Sequence, residues 1–168
     1  MKTKTIFITG ATDGIGKLTA IDFAKQNKDD TILIHGRNKN KLDIVAEEIK
    51  SASGNQNIES YTADFSSMND VRRLSKEVLA KHNEIDILIN NAGAGFTAPR
   101  YGKDGTENRF AVNYLAPFLL TNLLLSAIKK AAPSRIINIA SAGQSPINFK
   151  DVMLEKNFDG VTAYTQSK

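Results

Sequence analysis

At 168 residues the chain is long enough for one domain with a substantial core and little more. Its composition, 41% hydrophobic and 24% charged, is that of a soluble globular protein, and the absence of cysteine excludes a disulfide framework or a thiolate metal site and fits a reducing, cytoplasmic compartment. A net charge of +4 first implies solubility; its clearest cluster, Arg37, Lys39 and Lys41, is too short and too poor in aromatics for a nucleic-acid surface.

In chain order, the opening MKTKTIFITG has two lysines and an apolar run too brief for a signal peptide, and KTIFITG reads as a buried strand. KLTAIDFAKQ reads as a helix and TILIHG as a second strand. In NKLDIVAEEIKSA, the residues Leu42, Val45, Ala46 and Ile49 share one helical face. NIESYTADF is a third strand. A helix capped by Ser67 repeats Val71, Leu74, Val78 and Leu79 at helical spacing. IDILINNAG is a fourth strand. A long helix is expected from about Thr106 to Ala132, stopping before Pro133, and SRIINIAS is a fifth strand. Pro117 conflicts with that helix, because it removes a backbone hydrogen bond. The apolar run YLAPFLLTNLLLSAI is shorter than a bilayer span requires and reads as a buried helix, so no membrane span is expected.

This alternation predicts an α/β fold, a doubly wound parallel sheet of Rossmann type with at least five strands in the order 3-2-1-4-5. Residues 1–168 read as a single dinucleotide-binding domain with no repeat or linker.

TGATDGIG, Thr9 to Gly16, lies where the first strand hands over to the first helix. Gly10 allows the tight turn, Gly14 lets a phosphate approach the backbone, and Gly16 lets helix and strand pack closely. The helix N-terminus offers free N–H groups to a pyrophosphate, so Gly10, Thr12, Asp13, Gly14, Ile15 and Gly16 are candidate cofactor contacts. A plain glycine-rich turn is the alternative.

The spacing TGxxxGxG resembles that of the short-chain dehydrogenase/reductase family. NNAG at 90–93, VNYL at 112–115, Ser141 and the YxxxK of Tyr164 and Lys168 follow in the family's order. The stretch from Asn113 to Ser141 and the ending YTQSK are most similar to the retinol-dehydrogenase-like branch. The resemblance covers the whole chain. It implies an NAD(P)H-dependent oxidoreductase that interconverts a carbonyl and an alcohol.

The cofactor reading turns on ILIHGRN. NAD-binding domains place an acid after the second strand; here none is present and Arg37 stands there, suited to a 2′-phosphate, with Lys39 and Lys41 nearby. NADP is therefore expected, with NAD possible, and Asp13 in the phosphate turn is the awkward residue. The resemblance implies that Asp64, followed by Phe65, meets the adenine, and that Asn91, Ala92 and Gly93 line the adenosine side. Turn or capping roles remain open for them.

A lysine four residues after a tyrosine shares its helical face, and an ammonium beside a phenol favours the phenolate. That makes Tyr164 a usable acid and base. The resemblance implies that Lys168 also holds the nicotinamide ribose. Ser141 would hold the substrate oxygen, and Asn113 would bend the long helix and position a proton-relaying water. His35 and His82 have no ligand partners at metal spacing, so no metal site is expected and both read as structural or solvent-facing.

Ile147, Phe149, Val152, Met153 and Phe158 offer apolar contact to a lipophilic substrate or anchor their loop to the core. The family continues past the lysine with further strands and a substrate lobe, absent here, so the chain reads as part of a longer protein. Tyr164 and Lys168, on its last residues, would fray unless tied down. The second face of the long helix suits a homodimer or homotetramer. The readings that compete are a cofactor-binding or sensing protein or an inactive fragment without turnover, and, less favoured, a methyltransferase, which would need an acid after the second strand.

Overall fold

The computed structural model describes residues 2–168. In order come β1 (Thr5–Ile8), α1 (Gly14–Gln26), β2 (Thr31–Gly36), α2 (Lys39–Ser53), β3 (Ile58–Thr62), α3 (Met68–Lys81) and β4 (Ile87–Asn90). A π-helical segment (Phe110–Leu115) then leads into α4 (Ala116–Lys130), β5 (Arg135–Asn138) and α5 (Gly160–Gln166). The five strands pair in the expected order β3-β2-β1-β4-β5, all parallel.

Period-two strands divide the apolar residues between two layers. Phe7, Leu33 and Leu88 point to one face, where Val71, Leu74 and Val78 of α3 and Leu120 and Leu124 of α4 meet them. Ile6, Ile8, Ile32 and Ile34 point to the other, against Ala20 and Ala24 of α1 and Leu42, Val45 and Ile49 of α2. Each fully buried aliphatic side chain contributes about 1.5–3 kcal/mol. Side chains stop the orphan amides at the helix starts: Asp13 caps α1, Asn38 caps α2, Ser67 caps α3 and Asp159 caps α5.

The long helix differs from the expectation. It is not one α-helix from Thr106 to Ala132; the N–H of Ala116 donates five residues back to the carbonyl of Ala111, and the regular α-helix ends at Lys130. Pro117 falls in the first turn of α4, where a missing N–H disrupts least, so the widened π turn removes the conflict seen in the sequence. The helical stretch Phe110–Lys130, 21 residues containing an 18-residue window of mean hydropathy 1.6, is long and apolar enough to cross a bilayer, although the shorter apolar run within it is not. In this fold its inward face packs on the sheet and α3 instead. The outer edge of β5 is unpaired among the described residues, and Ile136 and Ile137 are exposed there.

Candidate active site

The glycine turn is built by exclusion. Gly10 has φ +67°, and a Cβ there would lie 2.6 Å from the Cα of Ala92. A Cβ on Gly16 would collide with Asn91 Nδ2 and the Gly10 carbonyl. Gly14 is the opposite case: φ is +51° and nothing lies within 4 Å of its Cβ direction, so its backbone faces open space. The turn is pinned from β4. Thr9 Oγ1 accepts the N–H groups of Asn91 (3.0 Å) and Ala92 (3.1 Å), and Asn91 Nδ2 donates to the carbonyls of Thr9 (2.9 Å) and Gly10 (3.0 Å).

His35 closes the turn from below. Its Nδ1 accepts the Gly10 N–H at 3.2 Å, and Nε2 donates to the Ala63 carbonyl at 3.1 Å. The ring stacks on Phe65 with centroids 4.1 Å apart. Burial pushes its pKa from 6.5 down to about 4, so the imidazole is neutral.

Asp13 accepts the N–H of Gly14 at 2.8 Å and pairs with Lys41 Nζ at 2.8 Å. The hydrogen bond from Lys41, then that from Gly14, hold its carboxyl below the usual carboxylate range. The awkward charge in the phosphate turn is thus offset by a lysine from α2. Arg37 follows β2, exposed and without an ion pair among the described residues.

A cleft of about 600 Å³ runs from this turn to α5. Gly10, Thr12, Asp13 and Arg37 line one end, Phe65, Asn91, Ala92 and Gly93 the middle, and Tyr164 and Lys168 the other end. Gly14, Ile15, Gly16, Asp64, Asn113 and Ser141 are not among its lining residues. Asp64 turns its carboxylate to the N–H and Oγ of Ser66 (2.9 and 2.8 Å) and toward Lys103 (3.4 Å). Burial pushes its carboxyl up, but these partners outweigh it and leave the group below its ordinary value. Asn108, unremarked in the sequence, also lines the cleft, and its buried Oδ1 has no hydrogen-bond partner.

At the reacting end, α5 begins on its Asp159 cap and stops at Gln166, so Lys168 lies just beyond the helix rather than on it. Its Nζ still lies 6.0 Å from the Tyr164 ring centroid and donates to the Ile139 carbonyl at 3.1 Å. Asn113 clasps Ala94, accepting its N–H (2.7 Å) and donating to its carbonyl (3.1 Å). It also donates to Ser167 Oγ at 2.8 Å, which in turn donates to the Tyr164 carbonyl at 2.7 Å. Ser167 therefore ties the end of α5 to the π turn. In an α-helix the Asn113 carbonyl would accept the N–H of residue 117, which proline lacks.

Ser141 does not end β5, which stops at Asn138; it lies in the following loop, where its Oγ accepts the Gly143 N–H at 3.1 Å. Of the apolar loop residues, Ile147, Phe149 and Val152 line a separate cavity of about 140 Å³ behind α5, with Phe110 and Tyr114. None of Ile147, Phe149, Val152, Met153 or Phe158 lines the main cleft. His82 is bound to Glu59 at 3.2 Å, a structural role.

A parallel sheet in this order, with a glycine turn opening α1 and a Tyr/Lys pair on one cleft at the carboxyl ends of its strands, defines a dinucleotide-type α/β domain. A sequence model of the short chain dehydrogenase family matches residues 4–152, and the chain belongs to that family. It is 38% identical over 169 residues to mouse (Mus musculus) retinol dehydrogenase 13, covering 98% of this chain and 50% of that protein. The chain spans about half the length of the curated relatives it matches. A metagenomic short-chain oxidoreductase solved in complex with NADP is 32% identical with a TM-score of 0.77, covering 98% of this chain and 70% of that one. A short-chain dehydrogenase from Sphingobium yanoikuyae in complex with NADPH is 26% identical with a TM-score of 0.71, covering 98% and 60%.

Proposed function

We propose that the protein of which this chain forms the dinucleotide-binding part is an NADP(H)-dependent oxidoreductase, able to use NAD(H), that interconverts an apolar carbonyl compound and its alcohol. The observation that carries this reading is the shared cleft: Tyr164 and Lys168 open onto the same space as Gly10, Thr12 and Arg37. The residues fit the cofactor. Open Gly14 and the N-terminus of α1 suit a pyrophosphate, Arg37 suits a 2′-phosphate, and the orphan acceptor of Asn108 suits a donor on the bound nucleotide. NADP or NADPH in the solved relatives supports the same choice.

Bound NADP(H) supplies or accepts the hydride at the carbonyl carbon. Tyr164 Oη gives a proton to the substrate oxygen in reduction and takes it back in oxidation. Lys168, its Nζ 6.0 Å from the Tyr164 ring centroid, would be the cation nearest the phenol and would hold the nicotinamide ribose. The Ser141 hydroxyl, which lies outside the cleft lining with its Oγ accepting the Gly143 N–H, would have to turn its loop toward Tyr164 to hydrogen-bond the substrate oxygen. Asn113, in the π turn beside Lys168, would position a water that passes protons toward Lys168. Relatives named for retinol support a lipophilic substrate. The exposed, stacked rings of Tyr114 and Phe118 on the long helix support self-association as a homodimer or homotetramer.

The test is turnover of NADPH with a panel of apolar aldehydes and ketones by the whole protein. Tyr164→Phe should lower kcat by about 10²–10⁴-fold while NADPH still binds. A Tyr164→Phe protein that turns over at the wild-type rate would remove Tyr164 from the chemistry. NADPH binding with no turnover on any carbonyl would favour a sensing role instead.

A further inference from the structure

Arg109 is the largest fully buried side chain of the described residues, and it faces neither solvent nor the cleft. Its guanidinium is directed at one short turn. Nη2 donates to the carbonyls of Phe96 and Ala98, both at 2.6 Å, and Nη1 donates to that of Pro99 at 3.3 Å. Nη1 also pairs with Glu107 Oε1 at 2.7 Å, and Glu107 is 2% exposed, so the buried charge is neutralised where it sits. Phe158 lies under the guanidinium at 5.4 Å and under that of Arg100 at 4.7 Å. Only a rigid fork of donors can gather three carbonyls this way.

The turn so held touches α5 twice. The Phe96 ring stands edge-on to the Tyr164 ring with centroids 4.5 Å apart. The Phe96 carbonyl sits so close to the first residue of α5 that a Cβ on Gly160 would lie 2.8 Å from it. The same turn walls the cleft through Thr97, Ala98 and Pro99. We infer that Arg109 is a positioning residue: through the Phe96–Pro99 turn it sets where α5 begins and how the Tyr164 ring is presented to the cleft. This rests on the reading of Tyr164 as the acid and base.

The whole protein labelled with 3-fluorotyrosine reports the Tyr164 ring directly, its ¹⁹F resonance assigned by loss in Tyr164→Phe. Arg109→Gln keeps one donor group and loses the fork, and Gly160→Ala puts a methyl 2.8 Å from the Phe96 carbonyl while keeping the Arg109 fork, whose Nη2 it meets only at contact distance, 3.5 Å. Both should displace or broaden the Tyr164 resonance, and both should lower kcat by about tenfold with the Kd for NADPH within about threefold of wild type. A merely structural ion pair would lower the melting temperature and leave the resonance in place. Where Arg109→Gln does not fold, Glu107→Gln with Arg109→Gln removes the lone buried carboxylate, and Gly160→Ala decides independently. A Tyr164 resonance unmoved in any folded variant of Arg109 or Gly160, or an unchanged kcat, overturns the inference. A wild type with no turnover at all would instead overturn the proposed function, and the resonance alone would still judge the positioning.

Discussion

His35 Nδ1 accepts the amide proton of Gly10 at 3.2 Å, so a buried neutral imidazole closes the glycine turn onto the second strand. Protonation would place an N–H against an N–H. Burial is the main cause of the fall from 6.5 to about 4; the Ala63 carbonyl opposes it, Arg37 adds to it and Asp64 opposes it. Because the folded pKa is depressed, the unfolded chain binds the proton first. The contribution is therefore complete above pH 6.5 and is lost as pH falls from there toward about 4. At ~1.4 kcal/mol per pKa unit the loss is on the order of 3 kcal/mol. His35→Gln keeps an acceptor and a donor and does not titrate, so denaturant midpoints measured down this window should fall less steeply than in wild type. Equal slopes would show that His35 is not the group responsible.

The two positive-φ glycines of the turn should respond differently to alanine. Gly14→Ala meets no atom and carries only the left-handed backbone strain of about 1–2 kcal/mol, so the domain should fold and lose chiefly its affinity for NADPH. Gly10→Ala adds to that strain a methyl 2.6 Å from the Ala92 backbone, and should cost more stability as well. Thermal melting and cofactor titration of the two variants together separate fold from site. Equal melting temperatures for both would contradict the packing at Gly10.

The strands and the faces of α2 and α3 were legible because they rest on local periodicity: Leu42, Val45, Ala46 and Ile49 point one way whatever the tertiary context. Leu79 is the exception, only partly buried at the margin of its cluster. Residues joined over long separations could not be read. Nothing near position 35 announces that its ring will hold Gly10, and a lone buried histidine more often fills a core. Ser167 and Arg109 look like ordinary helix polar residues until α5 and the Phe96–Pro99 turn are brought beside them. Pro117 gave a usable signal, a proline four residues after an asparagine, and the π turn is its resolution. The placement of Ser141 and Asp64 outside the cleft lining depends on loop conformation, which composition does not specify.

Cofactor choice should follow the charges around the turn. Arg37→Asp replaces a phosphate-binding cation by an anion suited to ribose hydroxyls. It should weaken NADPH relative to NADH by about tenfold to a hundredfold, the range expected for one charge-assisted contact. Lys41→Ala acts differently, because Lys41 pairs with Asp13 at 2.8 Å. It exposes the Asp13 charge at the start of α1, so Asp13→Asn in the same protein should restore part of the lost NADPH affinity. Additive losses in this double-mutant cycle would mean that the Asp13–Lys41 pair does not bear on the cofactor.

Asn113 joins three structures at once: the Ala94 backbone, Ser167, and through Ser167 the Tyr164 carbonyl. Asn113→Ala leaves the Ala94 N–H and carbonyl and the Ser167 hydroxyl short of a partner, at a cost of about 1–3 kcal/mol where these groups stay buried. Asn113→Asp keeps the acceptor for the Ala94 N–H at 2.7 Å and removes both donor contacts. The aspartate should therefore recover part of the stability, and because its carboxylate can accept the Ser167 hydroxyl, the tie from the π turn to α5 is cut in the alanine and weakened in the aspartate. Hydrogen exchange at the Ser167 amide, which donates to the Ala163 and Tyr164 carbonyls at the end of α5, reads that tie. It should accelerate in both variants. Protection at Ser167 equal to wild type in a folded Asn113→Ala protein would show that α5 is held by other contacts, and the role of Asn113 would then be confined to the Ala94 wall of the cleft.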